Sequence, residues 1–132
     1  MRAINTRGNN VAKILIVDDD NLLSSSEAGA LQEAGFETIT APNGKTGLEL
    51  ALSEHPDVIL CDYQMPEMDG IEMLTALRED EWGKTARVVF ATNVYDIDVI
   101  NKVLALGIPN YILKSDTSLE EIVNIISSQV TA

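Results

Sequence analysis

Short apolar runs alternate along the chain with segments whose apolar residues recur every three or four positions. "KILIV" (13–17) is continuously apolar after Lys13, as a strand covered on both faces requires. "NLLSSSEAGALQEAG" (21–35) predicts a helix closed by Gly35. "FETIT" (36–40) alternates apolar and polar residues and predicts an edge strand. "NGKTGLELALSEH" (43–55) predicts a helix with Leu48, Ala51 and Leu52 on one face, stopping before Pro56. "DVILC" (57–61) predicts a second buried strand, and "GIEMLTALRED" (70–80) a helix striped by Ile71, Leu74 and Leu77. "RVVFA" (87–91) and "YIL" (111–113) predict the last two strands, flanking a helix over 96–107 that ends at Gly107. "TSLEEIVNIISSQV" (117–130) opens with two overlapping capping boxes, Thr117 to Glu120 and Ser118 to Glu121. Its stripe is Leu119, Ile122, Val123, Ile126 and Val130. Strict alternation of strand and helix implies an α/β fold: one doubly wound parallel sheet of five strands, with five helices on its two faces.

Composition narrows the function classes. Nine basic and twenty-one acidic residues among 132 leave a formal charge of −12. Such a surface repels nucleic acid and anionic lipid, and suits cations or basic partners. The single cysteine, Cys61, forms no internal disulfide and fits a reducing compartment. As a buried strand residue it should act as a small hydrophobe turned away from its neighbour Asp62. No apolar run approaches a membrane span, and "MRAINTRGNN" (1–10) lacks the hydrophobic stretch of a signal peptide. The expectation is a cytoplasmic chain: a flexible tail over 1–10, then one domain over 11–132 with no second domain after it.

Chemistry collects at the strand ends. In parallel sheets of this kind ligands bind beyond the carboxyl ends of the strands. The first strand is followed by Asp18, Asp19 and Asp20, the third by Asp62, the fourth by Thr92 and Asn93, and the fifth by Lys114 and Ser115. Asp18, Asp19 and Asp62 cannot all ionise side by side without a compensating cation. Carboxylates with no histidine or thiolate among them suit a hard divalent ion such as Mg²⁺. With Lys114 and a hydroxyl, that arrangement makes a receptor for a phosphoryl group, and a central carboxylate could be its nucleophile. Asp20 or Asn21 reads instead as a helix cap.

"ILIVDDD", "VILCDYQMPEMDGIEML", "VVFATN" and "YILKS" resemble, in order and spacing, the signature stretches of response-regulator receiver domains of two-component signalling. The resemblance covers 13 to about 130. It implies a flavodoxin-like fold with strand order 2-1-3-4-5. By the same resemblance Asp62 is the phosphoacceptor, and Asp18, Asp19 and the backbone carbonyl of Gln64 complete the Mg²⁺ site with it. Thr92 and Lys114 are the groups that close on the phosphoryl group, and Tyr111 is the aromatic that switches with Thr92. The implied donor is a histidine kinase or phosphotransfer protein, and the only chemistry catalysed is the chain's own phosphorylation and dephosphorylation. The implied output is a downstream protein target or a homodimer, met through the fourth helix, fifth strand and fifth helix. Ile97, Val99, Ile100, Val103 and Ile125 are more apolar side chains than those helices can bury. The alternatives are an unphosphorylated pseudo-receiver acting as a docking module, and a phosphatase; Gln64 stands where the phosphatase reading needs a second aspartate.

Two positions depart from the family pattern. Ser115 replaces the proline that usually follows the lysine in a cis peptide, so a trans bond is expected. Asn93 replaces a very small residue and should alter the lifetime of the phosphorylated state. His55, at a helix end, reads as a surface residue favoured by the helix dipole. "NGKTG" lacks the first glycine of a P-loop, and "DDDN" is followed by Leu22 and Leu23 where a calcium loop needs ligands.

Overall fold

The computed structural model describes residues 3–4 and 10–131. Five strands form one parallel sheet: β1 (Lys13–Val17), β2 (Glu37–Ala41), β3 (Val58–Cys61), β4 (Val88–Thr92) and β5 (Asn110–Leu113). Their order is β2-β1-β3-β4-β5. Five helices connect or follow them: α1 (Asn21–Glu33), α2 (Gly44–Glu54), α3 (Gly70–Arg78), α4 (Ile97–Ala105) and α5 (Leu119–Thr131). Single 3₁₀ turns lie at Gly83–Thr85 and Lys114–Asp116. The expected doubly wound sheet is thus observed, with β2 at an edge. Most of the 1–10 tail lies outside the described residues. Ala3–Ile4 pairs antiparallel with Asn10–Val11, where the hydropathy pattern predicts no strand.

Alternation along the central strands splits the core into two layers. Leu15, Val17, Ile59, Cys61, Val88 and Phe90 pack under α2, α3 and α4. Ile14, Ile16, Val58, Leu60, Val89 and Ala91 pack under α1 and α5. Cys61 is buried against Met73 of α3, and burial pushes its thiol pKa well up, so it is a filler rather than a nucleophile.

Several sequence expectations shift. Phe36 is not in β2. Its N–H donates to Leu31 O while Gly35 N–H donates to Gln32 O, which closes α1 in a Schellman motif with Gly35 at φ +98. Gly107 and Ile108 repeat that arrangement at the end of α4. Of the two capping boxes predicted for α5, only Ser118 with Glu121 forms. Thr117 instead donates its hydroxyl to Leu113 O. Leu52 and Leu119 lie exposed rather than on the buried faces of α2 and α5, and Met73 joins Leu74 and Leu77 as the buried face of α3. On α4, Val99 and Val103 are core residues, so they leave the proposed surface; Ile97 remains there at 65% exposure.

Two loop features lie at the amino end of the sheet. His55 caps α2 in a left-handed conformation and stacks on Trp82, ring centroids 4.3 Å apart. Arg78 donates to the carbonyls of Leu106, Gly83 and Ala86 at 2.7–2.8 Å, tying α3 to the end of α4 and the loop before β4. Arg78→Met removes the guanidinium donor from three carbonyls, of which Gly83 O keeps the Ala86 N–H, and is expected to cost about 2 kcal/mol. A urea unfolding midpoint equal to that of the unaltered protein would refute this.

Candidate phosphoacceptor site

Sheet geometry brings the acids together. Asp18 and Asp62 each stand one residue past a strand end, on the neighbouring strands β1 and β3. Both stay fixed by the backbone: Asp18 N–H donates to Ala41 O at 3.0 Å, and Asp62 N–H to Val17 O at 2.9 Å. The start of α3 presses on the same place. Gly70 N–H donates to Tyr63 O at 2.7 Å, and a Cβ on Gly70 would overlap the Asp62 carbonyl. Only glycine permits that approach.

One carboxylate oxygen from each of Asp18, Asp19 and Asp62 lies within 4.8 Å of the others. Lys114 reaches in from beyond β5. Its Nζ is 2.6 Å from Asp18 Oδ2 and 3.2 Å from Asp62 Oδ2. Asp18 is only 3% exposed, and its other oxygen accepts the Asp20 N–H at 2.9 Å. Asp62 Oδ1 accepts the Tyr63 N–H at 2.7 Å. Asp19 is exposed at the rim. Asp20 turns away and caps α1 through the Leu23 N–H at 3.0 Å.

The electrostatics are strained. Burial raises the Asp62 pKa, Lys114 opposes that rise, and Asp18 adds to it. For Lys114, burial acts to lower the pKa, but the hydrogen bond to Asp18 and the charges of Asp62 and Asp18 outweigh it, and the net shift is upward. Three carboxylates against one ammonium leave two negative charges, the deficit a divalent cation would cancel. The donors are all oxygen, since Cys61 faces Met73, so the residues fit a hard ion such as Mg²⁺.

The hydroxyl side of the site is built by β4 and β5. Thr92, 2% exposed, accepts the Val94 N–H at 3.1 Å. The Tyr111 hydroxyl donates a short bond to Val94 O, so one residue links Thr92 to Tyr111. Phe90 packs between Tyr111 and Tyr63, with centroids 5.5 and 6.0 Å away. Gln64 lies exposed in the loop two residues past Asp62. No peptide bond among the described residues is cis, so Lys114–Ser115 is trans as expected. The Ser115 N–H, which a proline would lack, donates to Asn93 Oδ1 at 3.0 Å.

One group near the site escaped the sequence reading. Glu27 of α1 is 1% exposed, and neither of its carboxyl oxygens has a hydrogen-bond partner. Burial raises its pKa to about 7. The charges of Asp18, Asp62 and Asp20 push the same way, and Lys114 pulls against them. The available signal was spacing: Ser24, Glu27, Ala28 and Leu31 make the buried face of α1.

Comparison with known proteins agrees with this architecture. The response regulator receiver domain family matches residues 14–127. Regulatory protein AtoC of Escherichia coli (strain K12) is 38% identical over 104 residues, covering 79% of this chain and 22% of that protein. Transcriptional regulatory protein CrdR of Helicobacter pylori is 34% identical over 110 residues, covering 83% of this chain and 51% of that protein. The chain thus spans about a fifth of the first of these curated relatives and about half of the second. Among solved structures, the chemotaxis response regulator CheY4 of Vibrio cholerae superposes with a TM-score of 0.83 at 28% identity, covering 91% of this chain and 99% of that one. Among the described residues no helix is long and apolar enough to cross a membrane. With the sheet order, the family match and the receiver relatives all in agreement, the chain belongs to the response regulator receiver domain family of two-component signalling.

Proposed function

We propose that this receiver accepts a phosphoryl group on Asp62 from a histidine kinase or phosphotransfer protein, and that the modification switches a protein-binding surface. The observation that carries the reading is Lys114 Nζ bridging Asp18 and Asp62 inside a cluster of three carboxylates. An Asp62 carboxylate oxygen attacks phosphorus, the bond from phosphorus to the donor imidazole breaks, and that electron pair returns to the imidazole. An acyl phosphate results. Asp18, Asp19, Asp62 and the Gln64 carbonyl would hold Mg²⁺, which when bound offsets negative charge on the incoming phosphoryl oxygens. Lys114 is placed to exchange Asp62 Oδ2 for a phosphoryl oxygen. Thr92 is the acceptor in its bond with Val94, so its own proton is available to a second phosphoryl oxygen.

Movement of Thr92 toward the phosphoryl group would disturb Val94 and, through it, the Tyr111 hydroxyl. That biases a two-state equilibrium of the face formed by α4, β5 and α5. Tyr95 and Ile97 are 78% and 65% exposed at the start of α4, apolar area suited to a protein partner or a second copy of the chain. The charge of −12 disfavours direct nucleic-acid contact and fits action through proteins, in the cytoplasm where kinases of this class present phosphohistidine.

Incubation with Mg²⁺ and acetyl phosphate is expected to add the mass of one phosphoryl group, and Asp62→Asn should abolish the gain. No gain in the unaltered protein would leave the pseudo-receiver docking module, and steady turnover of an added phosphoester would indicate a phosphatase.

A further inference from the structure

Asn93 and Ser115 are the residues directly after Thr92 and Lys114, and the structure joins them. The β4–β5 ladder ends with Thr92 opposite Leu113. Beyond it, the Asn93 side chain accepts the Ser115 N–H at 3.0 Å and so adds one more rung. A second bond crosses in the same direction, from the Tyr111 hydroxyl to the Val94 carbonyl. The tripeptide Thr92-Asn93-Val94 is therefore stitched to the segment carrying Lys114 on both sides. Both departures from the family pattern take part in one contact: serine supplies the N–H that proline lacks, and asparagine supplies the carbonyl that a very small residue lacks.

We infer that Asn93 is a positioning residue, whose bond to the Ser115 N–H makes the loops after β4 and β5 move as one unit, bringing Thr92 and Lys114 onto the phosphoryl group together. The lifetime consequence rests on the function proposed for Asp62; the coupling of the loops does not. The acyl phosphate is lost when water attacks phosphorus, the bond to the Asp62 oxygen breaks, and the carboxylate and inorganic phosphate separate. Loops held together keep both donors on the phosphoryl oxygens and restrict the approach of that water. Loops that open independently do neither.

Amide hydrogen exchange on the unphosphorylated protein tests the coupling. The Ser115 and Val94 amides should exchange at a common rate, as one cooperative unit. In Asn93→Ala the Ser115 amide should speed up roughly fivefold and the two rates should separate. Asn93→Asp, which keeps the acceptor oxygen, and Ser115→Ala, which keeps the N–H, should each retain the common rate. The Asp62 acyl-phosphate lifetime is the second readout. Asn93→Ala and Ser115→Pro should each shorten it roughly fivefold, and the double variant no further, because both remove the same bond. Separate rates in the unaltered protein, unchanged Ser115 exchange in Asn93→Ala, an unchanged lifetime in either single variant, or multiplying effects in the double variant would each overturn the inference. If the unaltered protein takes no phosphoryl group, the reading of Asp62 fails, and exchange alone decides the tie.

Discussion

Between about pH 5 and pH 8.5 the protein should lose roughly 2–3 kcal/mol of stability that a Glu27→Gln variant keeps. Glu27 is sealed from water, and its oxygens have no partner. Its pKa rises to about 7 in the folded chain, against an ordinary 4.5. The folded state therefore binds this proton more tightly than the unfolded state does. The penalty is absent below the unfolded value, grows as pH climbs from there, and levels off above the folded value. Glutamine keeps the shape and cannot ionise, so the difference between the two proteins isolates the carboxylate. Urea unfolding followed by circular dichroism, at several pH values and without divalent ions, measures it. Parallel stability curves for the two proteins would sink the prediction.

Lys114→Met should destabilise the ion-free protein by about 3 kcal/mol near neutral pH, because it strands two carboxylates that share one ammonium. Asp18 is 3% exposed and cannot recover its solvation by a small shift. Burial already raises the Asp62 pKa, and removing the cation that opposes that rise lifts it further. The loss is then present at neutral pH and shrinks as acid protonates both states. Magnesium should recover more stability for the variant than for the unaltered protein, since Lys114 no longer competes for the oxygens of Asp18 and Asp62. Equal stability in chelator, or equal recovery by the ion, would contradict the shared-ammonium picture.

The sheet and the acid rim were legible because they follow from position. A continuous apolar run such as 13–17 or 58–61 reads as a two-sided strand, and the next residue of a parallel strand falls at the ligand-binding end. Asp18, Asp62, Thr92 and Lys114 were each found in this way. Side chains buried against type were not. Helix α1 reads as weakly amphipathic because its inward face carries Ser24 and Glu27, while Leu22 lies 84% exposed. Asn93 and Ser115 were visible as two separate departures, yet nothing in a linear chain reveals that one supplies the acceptor for the other. Thr117 shows the converse failure: a sound capping pattern that does not form, its hydroxyl donating instead to the Leu113 carbonyl.

The stack of His55 on Trp82 has an experimental consequence. It joins the sole histidine to the sole tryptophan. Both precede strands, His55 before β3 and Trp82 before β4, and so sit at the pole away from the acid rim. Indole fluorescence should therefore follow unfolding while staying blind to occupancy at the far end. Melting curves of loaded and unloaded protein can then be read from one intrinsic signal, with no label and no correction for quenching by the ligand.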